Sequence, residues 1–220
     1  MSNTDPIFAE IDEEVRRERL KQLWDRYGNY AIAAAVVIVL GIGGWRGYQW
    51  WEARRSAEAG AAFEAAAALL DQNKHSEAEA AFAKIAAEAP SGYRVLARFR
   101  EAAALAERDA KAAVTIYDAL AADSGAGPAL QDLANVRAGM LLADREPYDA
   151  LLARLEPLTG ADRAFRHTAR ELLVFAAWRG NNGEAVKRWI DMIVTDAETP
   201  AGTRTRIDML MALTGTHAKG

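Results

Sequence analysis

The chain has 220 residues, 27 basic and 31 acidic side chains with a net charge of −4, and no cysteine. The lack of cysteine excludes disulfides, thiolate metal sites and cysteine catalysis, and the charge lacks the basic excess of nucleic-acid-binding proteins. The length allows one sizeable soluble domain in addition to a short anchoring segment.

Residues 1–26 are predicted to form a charged helical arm on the cytoplasmic side. Asp5 and Pro6 favour a helix start, because aspartate caps a helix N-terminus and proline fits its first turn. Acidic residues then precede basic ones, an order that complements the helix dipole. The arm either docks a cytoplasmic partner or stays solvated, and the sequence leaves both interpretations open.

Residues 27–45, YGNYAIAAAVVIVLGIGGW, are predicted to cross a membrane within a signal-anchor helix over residues 27–51. The run contains no Asp, Glu, Lys or Arg, and as a helix it would be ~28 Å long, close to the hydrocarbon thickness of a bilayer. Aromatic rings at both ends fit the headgroup region, whereas a buried core helix, the alternative, does not need them. The predicted anchoring residues are Trp24, Tyr27, Tyr30, Trp45, Arg46, Tyr48, Trp50 and Trp51.

The charges that flank this run predict its orientation. Five basic residues precede it between residues 16 and 26, and three follow it between residues 46 and 55. This difference favours a single pass with a cytoplasmic N-terminus and a translocated domain over residues 52–220. No small-residue cleavage site follows the apolar core closely, so we expect an uncleaved anchor; the inverted topology is the alternative.

Residues 52–220 are predicted to form an array of helical hairpins. Apolar residues recur every three to four positions between turn residues, with no alternating strand pattern. Small residues recur at steps of 35, 37 and 35, most with an aromatic residue one turn later, which favours a tetratricopeptide repeat, whose period is about 34. The predicted packing residues are Ala78, Phe82, Pro90, Ala113, Tyr117, Ala150, Ala185 and Trp189.

The predicted fold class is therefore all-α. One N-terminal transmembrane helix precedes a tetratricopeptide-repeat-like α-solenoid of about four helical hairpins and a C-terminal capping helix. In the third hairpin Arg154 stands where an aromatic residue is expected, and Leu151 and Leu155 take over if the register is shifted. Another helical-hairpin array of similar length is the alternative. The predicted hairpins cover residues 56–90, 92–127, 128–160 and 162–198, with the cap at 201–213.

Two parts of the chain carry a family resemblance. The first comprises Gly44-Trp45, Tyr48, Trp50-Trp51, the segment ARRSAEAGAAF at 53–63, and the repeat residues Ala78, Phe82 and Pro90. The second is the segment 164–186. Together they resemble the YfgM-type ancillary subunit of the bacterial SecYEG translocon. The resemblance implies a single-pass inner-membrane protein whose periplasmic repeat domain associates with SecYEG and periplasmic chaperones and assists secreted proteins as they emerge.

The sequence offers little for catalysis. His167 and Glu171 lie one helical turn apart, as metal ligands can, but no His-Glu-x-x-His motif or third ligand accompanies them. No serine lies in a Gly-x-Ser-x-Gly elbow. We therefore expect no catalytic residue, metal, cofactor, small-molecule substrate or nucleic-acid partner.

A protein-binding groove is the natural site of a helical solenoid. The first helix of each pair usually lines its concave face, and those helices carry aromatic and basic side chains suited to a client protein. The candidate groove residues are Tyr93, Arg94, Phe99, Arg100, Asn135, Arg137, Arg166 and Arg170.

These features favour a membrane-anchored interaction module that binds proteins and catalyses no reaction. Its span would hold the repeat domain beside the translocon and raise its effective concentration near emerging chains. One alternative is an envelope-assembly or cell-division scaffold that uses the same repeats. A second alternative, from another class, is a membrane-anchored hydrolase with His167 and Glu171 at its site.

Overall fold

The computed structural model describes residues 5–214, with side chains at 17–18, 21–30 and 32–213. The first four residues of the predicted arm and the last six of the predicted repeat domain lie outside this range. The chain divides into two compact units, Met1–Arg55 and Ser56–Gly220. The first helix, α1 (Asp5–Asp71), contributes to both units. Because no proline occurs between Pro6 and Pro90, nothing in this stretch removes a backbone donor from the helix.

In the first unit, the described side chains of the apolar part of α1 are exposed. Every side chain from residue 32 to residue 50 is exposed. The stretch Ile32–Asp71 is the one helix in the described part of the chain that is long and apolar enough, by length and composition, to cross a membrane. An apolar helix therefore lies where the sequence predicts the span.

The described part of the second unit, residues 56–214, contains four helical hairpins and a final helix, which confirms the predicted all-α class. Consecutive helices from α2 onward pack on one another, and α9 contacts both α7 and α8, as a capping helix does. Single 3₁₀ turns at Ser124–Ala126 and Glu156–Leu158 follow α4 and α6. The helices are α2 (His75–Glu88), α3 (Ser91–Ala106), α4 (Ala110–Ala121), α5 (Pro128–Leu142), α6 (Tyr148–Leu155), α7 (Arg166–Arg179), α8 (Gly183–Thr195) and α9 (Ala201–Thr214).

Asparagine closes the turns of the first and last hairpins. Asn73 and Asn181 adopt φ values of 59° and 53°, in the left-handed region that asparagine tolerates better than most residues. The next residue after Asn181, Asn182, caps α8, because its Oδ1 accepts a hydrogen bond from the Ala185 N–H at 3.1 Å. Both asparagines lie in turn segments between paired helices, as the spacing of turn residues in the sequence predicts.

Within the part of the chain that the structure describes, three apolar clusters hold the hairpins together. The first joins the end of α1 to α2 and α3, where the Phe63 and Phe82 rings meet edge to face with centroids 5.2 Å apart. The second joins α3, α4 and α5 around Tyr117 and Leu120. The third and largest extends from α5 to α9 and includes Trp189. Each cluster draws on successive helices, so the hairpins support one another as stacked repeats do.

Most of the predicted packing residues lie inside these hairpins. Buried side chains stand at six of the eight positions, and Pro90 is half-buried at the start of α3. The fully or largely buried set is Ala78, Phe82, Ala113, Tyr117, Ala185 and Trp189.

The third hairpin differs from the predicted packing. Ala150 is exposed, whereas Leu151 and Leu155 are buried in the largest cluster. Helix α6 is only eight residues long and begins at Tyr148. Its two buried leucines are four residues apart, so they lie one turn apart on the same face of the helix. The shifted register that the sequence left open is therefore the one adopted.

Leu151→Ala is expected to destabilise the repeat domain by about 2–4 kcal/mol, because it leaves a cavity beneath α6. Ala150→Ser on the exposed side of the same helix should change stability by less than about 0.5 kcal/mol. Urea denaturation of the full chain in mild detergent, followed by far-UV circular dichroism, measures both. Equal losses for the two variants would contradict the register described here.

Candidate protein-binding surface

Two aromatic residues predicted to line the groove pack within the hairpins. The Tyr93 ring centroid lies 6.2 Å from that of Phe63, and the Phe99 centroid lies 5.9 Å from that of Tyr117. Both Tyr93 and Phe99 are half-buried. Their main contacts therefore stabilise neighbouring helices, and only part of each ring faces outward.

Arg166 and Arg170, two further groove candidates, share one carboxylate inside the fold. Arg166 Nε and Arg170 Nη1 donate to Asp196 Oδ2 at 2.9 Å and 2.8 Å. Arg170 also donates to the backbone oxygens of Thr159 and Met192. These contacts connect α7 to the turn after α6 and to the end of α8. These contacts join segments that are distant in the sequence, so Arg166 and Arg170 stabilise the fold.

The same contacts shift the protonation of this cluster. The hydrogen bond from Arg166, more than any other contact, holds the pKa of Asp196 below its ordinary value of 3.8, and it raises the pKa of Arg166 in turn. Burial, followed by the positive charge of Arg166, lowers the pKa of His167 below its ordinary value of 6.5. The cluster therefore holds an ionised aspartate beside a histidine that is mainly neutral at pH 7.

Acid is expected to weaken this cluster. Because the folded pKa of Asp196 lies below the unfolded value, its carboxylate stabilises the fold above about pH 4 and loses that effect as the pH falls further. The free energy of unfolding should therefore fall more steeply between about pH 5 and pH 3 in the wild type than in Asp196→Asn. Asp149→Asn, which removes an exposed carboxylate, should keep the wild-type slope. Equal slopes in the wild type and Asp196→Asn would contradict the assignment.

His167 and Glu171, the pair considered for hydrolysis, engage separate partners. His167 Nδ1 lies 3.3 Å from Thr199 Oγ1, whereas Glu171 accepts hydrogen bonds from Thr203 and Arg206. Among the described residues, no group of three or more His, Cys, Asp or Glu side chains is placed to hold a metal ion. Both side chains connect α7 to the chain that follows α8.

An open groove of about 610 Å³ lies between α4, α5 and α6 and is called here the α5–α6 groove. Alanines form much of its α6 wall, and one of them is the exposed Ala150. Polar side chains from α5 and Arg163 before α7 face them, with Ala121, Pro157 and Leu158 completing the lining. Its lining consists of Ala121, Gln131, Asp132, Asn135, Ala150, Ala153, Arg154, Pro157, Leu158 and Arg163.

Each of the two arginines that line the α5–α6 groove is paired with an acidic side chain. Arg154 Nη1 donates to Asp118 Oδ1 at 2.6 Å and to Asn135 Oδ1 at 3.4 Å. Arg163 Nη2 donates to Asp132 Oδ1 at 2.7 Å, while Arg163 Nε is buried and has no hydrogen-bond partner among the described residues. The groove thus places paired charges beside small apolar side chains.

Of the eight groove candidates, Asn135 lines the α5–α6 groove. Arg94 lines a second, smaller groove of about 470 Å³ near the start of α3, beside the Arg98–Asp123 ion pair. Arg100 and Arg137 are exposed. Sequence reasoning missed Gln131, Arg154 and Arg163; the one available signal was Arg154 itself, which stands at a position where the repeat pattern expects an aromatic residue.

The predicted anchoring residues lie in the first unit, exposed at both ends of the apolar run. Among the described side chains there, three arginines place their guanidinium carbon over an aromatic ring. Arg26 Cζ lies 5.7 Å from the Tyr27 ring centroid, Arg54 Cζ 5.7 Å from that of Trp50, and Arg55 Cζ 4.8 Å from that of Trp51. Side chains that combine apolar bodies with charged tips at both ends suit the boundary between oil and water.

Comparison with known proteins identifies the family. A family described as tetratricopeptide repeat-like domain matches residues 21–173, more than half of the chain, and the chain belongs to this family. Such domains mediate protein–protein interactions. No curated protein and no solved structure matches the chain.

Proposed function

We propose that this protein is a membrane-anchored interaction module that binds client proteins beside the Sec translocon. The observation that carries the proposal is the combination of a hairpin array bearing the α5–α6 groove with one exposed apolar helix of spanning length. Repeat arrays bind partners through extended surfaces, and an anchor restricts where those partners are met. The module acts by holding proteins and not by chemical catalysis.

The proposed localisation is the bacterial inner membrane, with the N-terminal arm in the cytoplasm and the repeat domain in the periplasm. The basic residues at 16–26 outnumber those at 46–55, which supports this orientation. The aromatic rings and arginines at the ends of the apolar run support a stable position in the bilayer. Residues 1–26, 27–51 and 52–220 then serve as arm, anchor and binding domain.

The proposed partners are SecYEG and periplasmic chaperones or secreted clients. Support comes from the resemblance of the juxtamembrane segment 44–63 and the segment 164–186 to the YfgM-type subunit. The physical role follows from tethering: an anchor beside the translocon converts binding of an emerging chain into a nearly intramolecular event. Weak binding in the α5–α6 groove is then sufficient to hold a chain briefly.

Affinity purification of the full chain from native membranes in mild detergent tests the partner assignment. We expect translocon subunits to be recovered, together with chaperones or secreted proteins. A matched control exchanges residues 27–51 for an unrelated signal anchor of the same length, and we expect it to lose most of the translocon. Recovery of division or envelope-assembly proteins without any translocon subunit would contradict the proposal and favour the scaffold alternative.

Two further measurements test the anchor and its orientation. Alkaline carbonate extraction should leave the wild-type chain in the membrane pellet. Protease added to spheroplasts should digest the repeat domain, whereas intact cells should protect it. A carbonate-soluble chain contradicts the anchor, and a repeat domain protected in spheroplasts contradicts the orientation.

A further inference from the structure

We propose that an exposed strip shared by α3, α5 and α7 binds short acidic segments of partner proteins that also carry apolar side chains. The inference rests on the protein-binding role proposed above and names the chemistry of the partner. The strip, called here the first-helix strip, lies within the second unit and lines neither of the two grooves. It consists of Leu96, Arg100, Arg137, Met140 and Trp178.

The repeat brings two exposed arginines to equivalent positions. Arg100 on α3 and Arg137 on α5 are 37 positions apart, the same step that separates Ala113 on α4 from Ala150 on α6. Equivalent positions of stacked repeats lie on the same side of the array. We therefore infer that the two guanidinium groups belong to one continuous surface.

Exposed apolar side chains accompany the arginines. Leu96 lies one turn before Arg100 on α3, and Met140 lies one turn after Arg137 on α5, so each arginine shares a helix face with one of them. Leu96 is 46% exposed and Met140 is 44% exposed. Trp178 is exposed on α7, 38 positions after Met140, and extends the apolar part of the strip to a third repeat.

The two arginines of the strip keep their donors free for a partner. Among the residues that the structure describes, neither Arg100 nor Arg137 has a side-chain ion pair or hydrogen bond. Neighbouring arginines differ, because Arg98, Arg154 and Arg163 each pair with an aspartate. An unpaired guanidinium can accept a carboxylate of another molecule without first losing a partner of its own, so charge complementarity favours an acidic segment.

The backbone that carries these arginines is held in place by one apolar cluster. Phe99, the residue before Arg100, packs on Tyr117 with ring centroids 5.9 Å apart. Ala138, the residue after Arg137, is buried in the same cluster as Tyr117. Because the helices are already packed, binding has to order only the exposed side chains, which reduces its entropic cost.

Exposed acidic residues limit the length of the segment that fits. Glu107 and Asp144 each lie seven positions after an arginine of the strip, about 10 Å further along at ~1.5 Å per residue. The strip is therefore positive at Arg100 and Arg137 and negative beyond them. A short run of carboxylates can contact the arginines, whereas a long acidic tail would also meet Glu107 and Asp144 and be repelled.

Fluorescence anisotropy of the full chain in phosphatidylcholine nanodiscs tests this surface. The probe is a labelled peptide with three adjacent glutamates flanked by leucines, and its counterpart carries glutamines in their place. We expect the wild type to bind the glutamate peptide at least about fivefold more tightly, because each exposed ion pair contributes a factor of about two to five. The preference should shrink as salt is added, and R100Q/R137Q should lose most of it.

Matched variants separate this surface from general charge. K111Q/K187Q removes the same charge from exposed positions of α4 and α8 and should keep the wild-type preference. R100E/R137E should instead prefer a peptide with lysines in place of the glutamates. M140A/W178A should weaken the glutamate and glutamine peptides by similar factors, because it removes apolar contacts and no charge.

Three results would overturn the inference. The first is equal affinity of the wild type for the glutamate and glutamine peptides. The second is an equal loss of preference in K111Q/K187Q and R100Q/R137Q. The third is a dimer of the full chain that R100Q/R137Q dissociates and that the glutamate peptide does not, which would assign the strip to a second copy.

Failure of this surface is distinguishable from failure of the proposed function. A chain that recovers translocon subunits and secreted proteins from native membranes but shows no preference for the glutamate peptide contradicts the first-helix strip alone. A chain that recovers neither class of protein and shows no preference contradicts both.

Discussion

Trp189→Ala is expected to cause the largest loss of stability of any single truncation in the repeat domain, about 3–5 kcal/mol. The Trp189 side chain is 0% exposed in the cluster that joins α5 to α9. Its Nε1 also donates to Tyr148 Oη at 2.9 Å, so the substitution removes a hydrogen bond between α6 and α8 as well as the ring. Urea denaturation of the full chain in mild detergent measures the change.

Trp178→Ala supplies the matched control, because Trp178 lies on α7 and is 48% exposed. We expect this variant to lose less than about 1 kcal/mol, since an exposed ring buries less apolar area. Comparable losses for the two tryptophan variants would contradict the packing of the third and fourth hairpins described here.

Arg170→Met is expected to destabilise the same region by about 2–4 kcal/mol, because it removes one of the two cationic partners of the half-buried Asp196 and both side-chain donors to the Thr159 carbonyl. The Arg170 side chain is only 5% exposed and donates four hydrogen bonds, two of them to the Thr159 carbonyl. Because methionine fills much of the volume of the arginine side chain, the loss of stability reflects the missing polar contacts more than a cavity. Differential scanning calorimetry detects it as a lower unfolding temperature.

Arg100→Met controls for the loss of one positive charge from an exposed site of α3. Its effect should stay within about 0.5 kcal/mol. If Arg170→Met proved as mild as Arg100→Met, Arg170 would be free to serve the client surface that the sequence assigned to it.

The helical pairing was predictable because it depends on local spacing. Ala78 and Phe82 lie one turn apart and are buried in the same apolar cluster. Asn73 and Asn181 adopt positive φ values in the turns between paired helices. Such features repeat at a constant period, so each hairpin supports the interpretation of the others. The third hairpin fits less well because α6 is short and carries leucines at 151 and 155 instead of an aromatic residue.

The arginines were harder to assign because their roles depend on distant partners. Arg170 and Arg154 look alike in the sequence, yet Arg170 is buried against Asp196 and Thr159 while Arg154 lies in the α5–α6 groove. Asp196 is 26 positions after Arg170, and Asp118 is 36 positions before Arg154. No local pattern reports which acidic residue an arginine will meet, so a partly buried groove residue and a fully buried structural one look the same in the sequence.

The tryptophan–arginine pairs within residues 50–55 could be predicted from the sequence in part. Their four-residue spacing is visible in the sequence as Trp50–Arg54 and Trp51–Arg55, whereas the stacking distances require the structure. Spacing indicates that the side chains share a face. Only the structure shows that each guanidinium lies over the neighbouring ring.

The central claim is that the repeat domain holds secreted chains beside the translocon, and site-specific photo-crosslinking in living cells tests it most directly. A photoreactive amino acid at Ala150 or Ala153, both in the α5–α6 groove, is expected to crosslink to secreted proteins, periplasmic chaperones or translocon subunits. The same group at the exposed Lys187 of α8 should give few such products. Crosslinks from Lys187 alone, or groove crosslinks only to proteins unrelated to secretion, would contradict the account.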